Sequence, residues 1–369
     1  MLFYNFRKVI WICVIAIIVI GLIALFSASH QNTRVTQQVF YNQLFFSILG
    51  ILAIFGLSYV DYRKYYDIAY IFYAVNVLFL IAILIFGHYA LGAKRWIEVL
   101  GFNFQPSEFM KISLILALAR YFTDYKPNVS FYNPWGRAAF FLDFFNPFIL
   151  TAIPMLLIFK QPDLGTAILI LGIFFIIVFA GGVSTRYLVG FFILCVSATP
   201  LLWYMMKSYQ KDRLMVFLNP NIDPFGAGYT IIQSKIAIGS GQIFGKGWLA
   251  GTQNQLNFLP ERHTDFIFSV IGEEWGFIGG LVLLSCFYLV ILSGLRIVQQ
   301  TKDKFGFLAG VGIVSIFSMQ IIINVAMVLG LCPIVGLTLP MISYGRSSFL
   351  VSVLMLGFLL NLSKKNKIL

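Results

Sequence analysis

Charged residues are scarce in this chain. Only 11% of the 369 residues are Asp, Glu, Lys or Arg, and 60% are hydrophobic, against about 25% and about 45–50% in soluble globular proteins. This composition excludes a water-soluble fold. The formal net charge of +12 comes from basic residues that are thinly scattered between apolar runs. Because they form no basic stripe, the charge does not indicate nucleic-acid binding.

Metal ligands and phosphate-binding motifs are also few. The four cysteines lie in or beside apolar runs without CxxC spacing, and the three histidines form no HExxH motif, so neither a disulfide framework nor a zinc cage is predicted. The glycine-rich run 239–247 has neither GxGxxG nor GxxxxGK[ST] spacing, which leaves at most a partly anion-binding backbone. Any chemistry must come from a few carboxylates and cations.

Long hydrophobic runs are abundant. A run of roughly 17–25 residues can cross a bilayer as a helix. Ten such runs cover residues 9–28, 42–60, 66–87, 106–122, 141–160, 164–182, 187–206, 266–295, 306–331 and 339–362. The sequence therefore predicts an all-α polytopic membrane protein of about ten transmembrane helices, forming a single domain over 1–369.

The basic residues predict the orientation of these helices. With an even number of spans both termini lie on one side, where fourteen Lys and Arg residues fall, against four in the short loops opposite. Since basic loops stay in the cytoplasm, both termini are expected there. The polar segment 207–265, between helices 7 and 8, then lies outside the cytoplasm, and function is expected to concentrate in it. Residues 231–238 within it predict a short amphipathic helix on the bilayer surface.

The first candidate site lies where this long segment ends. Asp265 opens the eighth span shortly after Arg262 and His263. Asp is a favoured N-cap, and a carboxylate there can also accept a proton from a hydroxyl nucleophile, so capping and catalysis are compatible. Glu273 is expected roughly 12 Å deeper and about 80° round the helix. The glycines 272, 276 and 280, spaced by four, predict a smooth stripe for a neighbouring helix.

Two further groups lie near the outer ends of other spans. Glu108 and Lys111 are three residues apart and share one face of a helix that Pro106 can start. They form either an internal ion pair or part of a site, since Lys111 near a helix N-terminus calls for a compensating anion. Asp163, in the tight turn that follows Lys160, is either a site residue or only the cap of the sixth span.

Taken together, these motifs are similar to those of the SEDS family of bacterial cell-wall polymerases. The family usually reads SYGGSS near its end, whereas Arg346 stands here in place of the second glycine. The matching blocks are GAKRW at 92–96, QPSE at 105–108, KQPDLGT at 160–166, DP at 223–224 with GY at 228–229, QS at 233–234 and AIGSG at 237–241, LPERHTDFIF at 259–268 with Glu273 and Glu274, and SYG at 343–345.

The resemblance implies a glycosyltransferase that polymerises lipid II. Such an enzyme joins the anomeric carbon of one lipid-linked disaccharide to the 4-hydroxyl of another, with inversion and with release of undecaprenyl pyrophosphate. It implies Asp265 as the general base and assigns Glu108 and Lys111 to a pair beside the central cavity. Mg²⁺ or Mn²⁺ assistance is allowed by analogy, although no ligand set in the sequence shows it. The candidate substrate-binding residues are Glu108, Lys111, Lys94, Arg95, Lys160, Asp163, Arg262, His263 and Glu273, of which Lys94, Arg95, Lys111 and Lys160 are candidates for the leaving pyrophosphate.

The resemblance also implies a class B penicillin-binding transpeptidase as partner, together with elongation-complex proteins, in the bacterial cytoplasmic membrane. Short termini and Arg262 before His263 favour a role in cell elongation and rod shape over a division-type polymerase. Two other readings stay open. In a lipid II flippase or transporter, the intramembrane Glu and Lys residues would form a path. In a non-catalytic scaffold, Asp265 would be only a cap.

Overall fold

The computed structural model of the protein describes residues 6–30, 34–90, 93–99, 102–125, 141–197, 199–206, 208–226 and 228–365. Most of these residues are helical. A π-helical turn, Phe141–Phe145, leads into α5, and a 3-10 turn, Pro220–Ile222, precedes α10. The helices are α1 (Phe6–Ser29), α2 (Arg34–Leu57), α3 (Arg63–Phe86), α4 (Pro106–Asp124), α5 (Asn146–Lys160), α6 (Leu164–Ala180), α7 (Thr185–Ser197), α8 (Thr199–Met205), α9 (Ser208–Leu218), α10 (Tyr229–Gly241), α11 (Thr252–Gln255), α12 (Ile267–Gln299), α13 (Lys304–Val328) and α14 (Arg346–Lys365).

All ten predicted spans contain helix, which confirms the predicted fold class. Seven of the described helices are long and apolar enough to cross a membrane: α1, α2, α3, α5, α12, α13 and α14. The described residues of the predicted span 187–206 lie in α7 and α8, and residue 198 between them lies outside the described residues. The predicted span 339–362 begins too early, since the chain around Pro340 is irregular and α14 starts only at Arg346.

A small antiparallel sheet between α3 and α4 was not predicted. Its strands are β1 (His88–Ala90), β2 (Ala93–Val99) and β3 (Phe102–Phe104), in the order β1-β2-β3. Trp96 pairs with His88, and Ile97 pairs with Phe104. Strands this short give almost no periodic signal in a sequence. Because β3 ends just before Pro106, the sheet determines how the chain enters α4.

The described chain forms two compact units. Unit 1 comprises Met1–Ile51, Pro200–Ser293 and Ser318–Phe349, and unit 2 comprises Leu52–Thr199, Gly294–Phe317 and Leu350–Leu369. Helices α2, α8, α12, α13 and α14 each contribute residues to both. The organisation of 1–369 as one domain stays a prediction.

In unit 2, α4 is buried along nearly its whole length. Its residues from Met110 to Ala119 are all buried, including Lys111. A helix that is surrounded by protein can contain charged side chains, whose exposure to lipid would be energetically costly. This explains why α4, with Glu108, Lys111 and Arg120, is less apolar than the other predicted spans.

A buried proline inside α5 is also accommodated within unit 2. Pro154 has no N–H, so it cannot donate to the carbonyl of Leu150, four residues earlier. The hydroxyl of Tyr73 on α3 donates to this carbonyl at 2.7 Å. A neighbouring helix therefore satisfies the acceptor that the proline leaves without its usual partner.

In unit 1, α10 lies against the first part of α12. The Ser234 and Ser269 hydroxyls are 2.9 Å apart, and a Cβ at Gly241 would come within 1.9 Å of the Gly272 carbonyl oxygen. The predicted short helix around 231–238 is therefore present, with Ile231, Ser234 and Ala237 buried. Its location on the bilayer surface stays a prediction. The glycine stripe of α12 does receive a neighbouring helix at Gly272.

Candidate active site

Asp265 lies in a turn immediately before α12, in unit 1. The turn closes through the amides of Thr264 and Phe266, which both donate to the Glu261 carbonyl, at 3.1 and 3.3 Å. The fully buried Asn324 of α13 donates through its Nδ2 to the Asp265 carbonyl at 2.9 Å. The backbone of this turn is therefore held from both sides, while the Asp265 residue itself is only partly buried.

The irregular segment before α14 forms the other wall of this turn. The Ser343 hydroxyl donates to the Thr264 carbonyl at 2.6 Å, and the Tyr344 amide donates to the His263 carbonyl at 2.8 Å. Gly336 has a φ of 70°, and a Cβ there would lie 3.6 Å from Asp265 Oδ2. The backbone that carries this partly exposed carboxylate is thus fixed in position, which favours a role as a general base.

The neighbours Arg262 and His263 have different environments. The Arg262 guanidinium is buried, donates through Nε to the Ala28 carbonyl at 2.9 Å and also bonds Asn257 Oδ1. Burial lowers the pKa of His263 from its ordinary value, which favours the neutral ring at pH 7. The ring lies near that of Tyr344, with centroids 6.5 Å apart. Arg262 therefore ties the turn to α1.

Glu273 is fully buried and accepts several hydrogen bonds from residues 242–256, which we call the outer segment because the sequence predicts that they lie outside the cytoplasm. Its Oε1 accepts from Lys246 Nζ at 2.8 Å, from the Gln253 amide at 2.9 Å and from Thr252 Oγ1 at 3.2 Å. Its Oε2 accepts from the Asn254 amide at 3.2 Å. This carboxylate caps the short helix α11 from outside. Its predicted substrate contact stays a prediction.

Glu274 continues the same set of contacts. Its Oε1 accepts from the Ser27 hydroxyl of α1 and from Asn254 Nδ2, the latter at 3.1 Å. All three residues are buried. We refer to Glu273 and Glu274 together as the carboxylate clamp, because they join α1, α11 and α12.

The carboxylate clamp is followed directly by a break in α12. Gly276 has φ 64° and ψ −160°, which no helix accommodates. Around the break, the amides of Lys246 and Gly247 donate to the carbonyls of Glu273 and Glu274, each at 3.0 Å. On its other side, the amides of residues 277 and 278 donate to the carbonyls of residues 242 and 243, at 2.8 and 3.1 Å. The outer segment thus satisfies the backbone groups that the break releases.

The second group of candidate residues lies in unit 2. Lys111 Nζ lies 2.7 Å from Glu108 Oε2, and the two side chains are 0% and 8% exposed. The predicted internal ion pair is therefore present. Asp163 accepts from the Thr166 amide at 3.3 Å and is the N-cap of α6. Its other oxygen accepts from Ser107 Oγ at 3.4 Å, which connects the starts of α4 and α6.

The remaining three cations differ in their surroundings. Arg95 on β2 donates to the Gln161 carbonyl at 3.1 Å and to the Pro162 carbonyl. Lys160 is exposed at the end of α5. Lys94 pairs with Tyr89 in the sheet, and its side chain lies outside what the structure describes. Asn324 and Gly336, which lie at the Asp265 turn, were not predicted as site residues. Ser343 and Tyr344 belong to the SYG motif at 343–345.

A metal site built by the protein alone requires several ligating side chains close together. Among the residues that the structure describes, no group of three or more His, Cys, Asp or Glu side chains is arranged to hold a metal ion. Because Mg²⁺ in proteins is commonly held by one or two carboxylates together with substrate phosphates, the Mg²⁺ or Mn²⁺ assistance that the resemblance allows stays a prediction. No chemical step is derived through such an ion.

The helices and the buried charges define a multi-pass membrane protein. The chain belongs to the family of cell cycle proteins represented by FtsW, RodA and SpoVE, whose model (FTSW_RODA_SPOVE, "Cell cycle protein") matches residues 7–368. This confirms the family resemblance.

Curated relatives match the chain over nearly all its length. Peptidoglycan glycosyltransferase MrdB of Escherichia coli K12 is 38% identical over 357 residues, covering 96% of this chain and 92% of that protein. A probable peptidoglycan glycosyltransferase FtsW of Geobacter metallireducens is 38% identical over 377 residues, covering 98% and 96%. Peptidoglycan glycosyltransferase RodA of Treponema pallidum is 30% identical over 436 residues, covering 98% of each chain.

Two solved structures share the fold. One is a chain from a peptidoglycan synthase complex that coordinates polymerization and crosslinking, with a TM-score of 0.79 and 33% identity, covering 97% of both chains. The other is the rod shape determining protein RodA of Thermus thermophilus, with a TM-score of 0.69 and 29% identity, covering 97% of this chain and 96% of that one.

Proposed function

We propose that this protein is a peptidoglycan glycosyltransferase that polymerises lipid II. Relatives named for this activity match almost the whole chain. The observation that carries the proposal is the partly exposed Asp265, whose backbone is held by Asn324 and whose Oδ2 lies 3.6 Å from the position that a Cβ on Gly336 would take. A carboxylate on a backbone held this way can accept a proton from a hydroxyl group.

In the proposed reaction, Asp265 takes the proton of the acceptor 4-hydroxyl. The acceptor oxygen forms a bond to the anomeric carbon of the donor, and the bond from that carbon to the pyrophosphate oxygen breaks. The electron pair leaves with undecaprenyl pyrophosphate, and the donor configuration inverts from α to β. The proton on Asp265 is then released to solvent.

A cation near the leaving pyrophosphate would stabilise the charge that develops on it. Lys160 supports this role because it is exposed at the end of α5. Lys111 and Arg95 are engaged with Glu108 and with backbone carbonyls, so their role depends on exchanging these partners for substrate.

The test is lipid II polymerisation by the purified protein in detergent, with and without its penicillin-binding partner. Wild type is compared with Asp265→Asn, because Asn caps helices about as well as Asp but cannot act as the base. A loss of order 10²–10⁴ in rate is expected. Glu261→Gln removes an exposed carboxylate from the same turn and is the matched control. Equal activity of the wild type and Asp265→Asn would refute the general-base role.

The partner and location are part of the proposal. We infer a class B penicillin-binding transpeptidase as partner, supported by the similarity to a chain of a peptidoglycan synthase complex. The protein is proposed to lie in the bacterial cytoplasmic membrane with both termini in the cytoplasm, acting in elongation and rod shape. Depletion that produces round cells would support this role, and filamentation would favour the division type.

A lipid II flippase is the second candidate function. One observation favours it, since transporters commonly use discontinuous helices at their sites and α12 is broken at Gly276. If the protein and its partner make no polymer, while reconstituted vesicles move labelled lipid II across the bilayer, this function replaces the first.

A further inference from the structure

Helix α12 is too long for the membrane it crosses. Its 33 residues, broken at Gly276, exceed the roughly 20 that a helix needs to cross the hydrocarbon core of a bilayer. About a third of its residues are therefore not needed to cross the core.

The pattern of burial shows which part this is. From residue 267 to residue 276 the helix is almost completely covered by protein, with Trp275 alone partly exposed. Exposed apolar side chains begin directly after the break, at Phe277 (66%), Ile278, Leu281 and Val282. From Phe277 to Arg296 the chain has 20 residues, or about 30 Å of helix, which matches the core. The bilayer boundary therefore coincides with the break at Gly276.

The outer segment meets α12 at this same level. The Ile278 amide donates to the Ile243 carbonyl at 3.1 Å, which places residues 242–244 beside the first exposed residues of α12. Ile243 and Phe244 are themselves exposed, Phe244 by 80%. Trp248, half exposed, follows a few residues later, with its ring 5.8 Å from that of Phe26 on α1.

We propose that Ile243, Phe244 and Trp248 form a membrane-interface anchor, whose partner is the phospholipid of the leaflet at which α12 enters the membrane. Apolar and aromatic side chains are favoured at this depth. The surface they form is continuous with the lipid-facing side of a spanning helix, and the backbone between them is hydrogen-bonded to that helix, as the bilayer boundary requires.

The anchor assigns a role to the broken helix. Backbone bonds across the break and the carboxylate clamp connect the anchor to the start of α12, and that start follows Asp265 by two residues. Contact with lipid at residues 243–248 therefore sets the height of the Asp265 turn relative to the bilayer. This inference does not depend on the proposed reaction.

The test uses photo-crosslinking from the full-length protein. Benzoylphenylalanine is incorporated in place of Phe244, which it resembles, and in place of Leu281 as the lipid-facing control. The protein is irradiated in cell membranes and, after purification, in nanodiscs of defined phospholipid, and adducts are identified by mass spectrometry. Phospholipid adducts at position 244, comparable in yield to those at 281, are expected in both preparations.

The opposite result is equally clear. Adducts at 244 that join mainly another polypeptide in membranes, with no lipid adduct in nanodiscs while 281 gives one, would show that the surface binds a protein and would overturn the proposal. If the variant at 244 does not accumulate, the same experiment at Ile243 decides the question. Unirradiated samples control for lipid that copurifies.

Discussion

The carboxylate clamp allows a prediction about the outer segment. Glu273→Gln keeps the volume of the side chain and one acceptor oxygen, but its amide group faces donors. The buried carboxylate accepts from Lys246 Nζ, from Thr252 Oγ1 and from the amides of Gln253 and Asn254. The variant therefore loses the ion pair with Lys246 and leaves at least one buried donor without an acceptor.

The size of the effect follows from these contacts. A hydrogen bond to a charged group contributes roughly 1.5–3 kcal/mol, and a buried donor without a partner costs roughly 1–3 kcal/mol. The Lys246 side chain is 26% exposed, so water compensates for part of its loss. We expect the segment 246–256 to open more easily by about 3 kcal/mol, which corresponds to a factor of about 10² in the opening equilibrium.

The opening equilibrium of segment 246–256 can be measured by hydrogen exchange and mass spectrometry on the nanodisc-embedded protein. Peptides covering 246–256 should exchange about 10²-fold faster in Glu273→Gln, while peptides from α4 stay unchanged. Thr252→Val is the control, because it keeps the Glu273 carboxylate and its ion pair with Lys246 and removes only the exposed Thr252 hydroxyl, which accepts from Lys246 Nζ at 2.8 Å and donates to Glu273 Oε1 at 3.2 Å. Since water can replace both bonds at an exposed residue, exchange should accelerate clearly less than in Glu273→Gln. Acceleration below about threefold in Glu273→Gln would refute the assignment of the clamp as the support of this segment.

Three further predictions concern other parts of the molecule. Gly276→Ala should destabilise the protein strongly, because the new Cβ would lie 2.3 Å from the Gly245 nitrogen and φ at this residue is 64°. Gly239→Ala is the control, since a Cβ there would meet nothing within 4 Å. The two variants should differ in their temperature of thermal unfolding. Glu108→Gln or Lys111→Met alone should cost about 3–5 kcal/mol of stability, and combining them should restore stability but not polymerisation if the pair binds substrate; full activity of the stable double variant would exclude that role. Burial lowers the pKa of His263, so the folded protein favours the neutral ring. The contribution of this neutral ring to the free energy of unfolding should be present above about pH 6.5 and be lost as the pH falls below it. A His263→Gln variant whose stability falls with acid in the same way as the wild type would contradict this.

The helices were largely predictable because each spanning helix is a run of hydrophobic residues that are contiguous in the sequence. The start of the last span was predicted too early, because the chain around Pro340 is irregular and α14 begins only at Arg346. The glycine stripe of α12 was interpreted as a packing surface, which is right for Gly272 and incomplete for Gly276. The break at Gly276 depends on backbone groups of residues 242–247, and no local pattern indicates such a pairing.

The candidate site was predictable only in part, for the same reason. Asp265 could be singled out because it follows a long polar segment and precedes a span. Its supports, Asn324 and Gly336, come from distant parts of the chain and become neighbours only in the folded protein. The Glu108–Lys111 pair was predictable from helical spacing, since both partners lie on one helix.

The hydroxyl of Tyr73 that satisfies the Leu150 carbonyl makes two distant sequence positions interdependent. Pro154 is tolerated because the Tyr73 hydroxyl donates to the carbonyl that the proline leaves without an N–H donor. A residue with an N–H at 154 would return the Leu150 carbonyl to the helix and release position 73 from its need for a hydroxyl. A hydroxyl at position 73 should therefore be kept wherever position 154 is proline as the family diverges, because losing the hydroxyl alone leaves the Leu150 carbonyl without a hydrogen-bond donor.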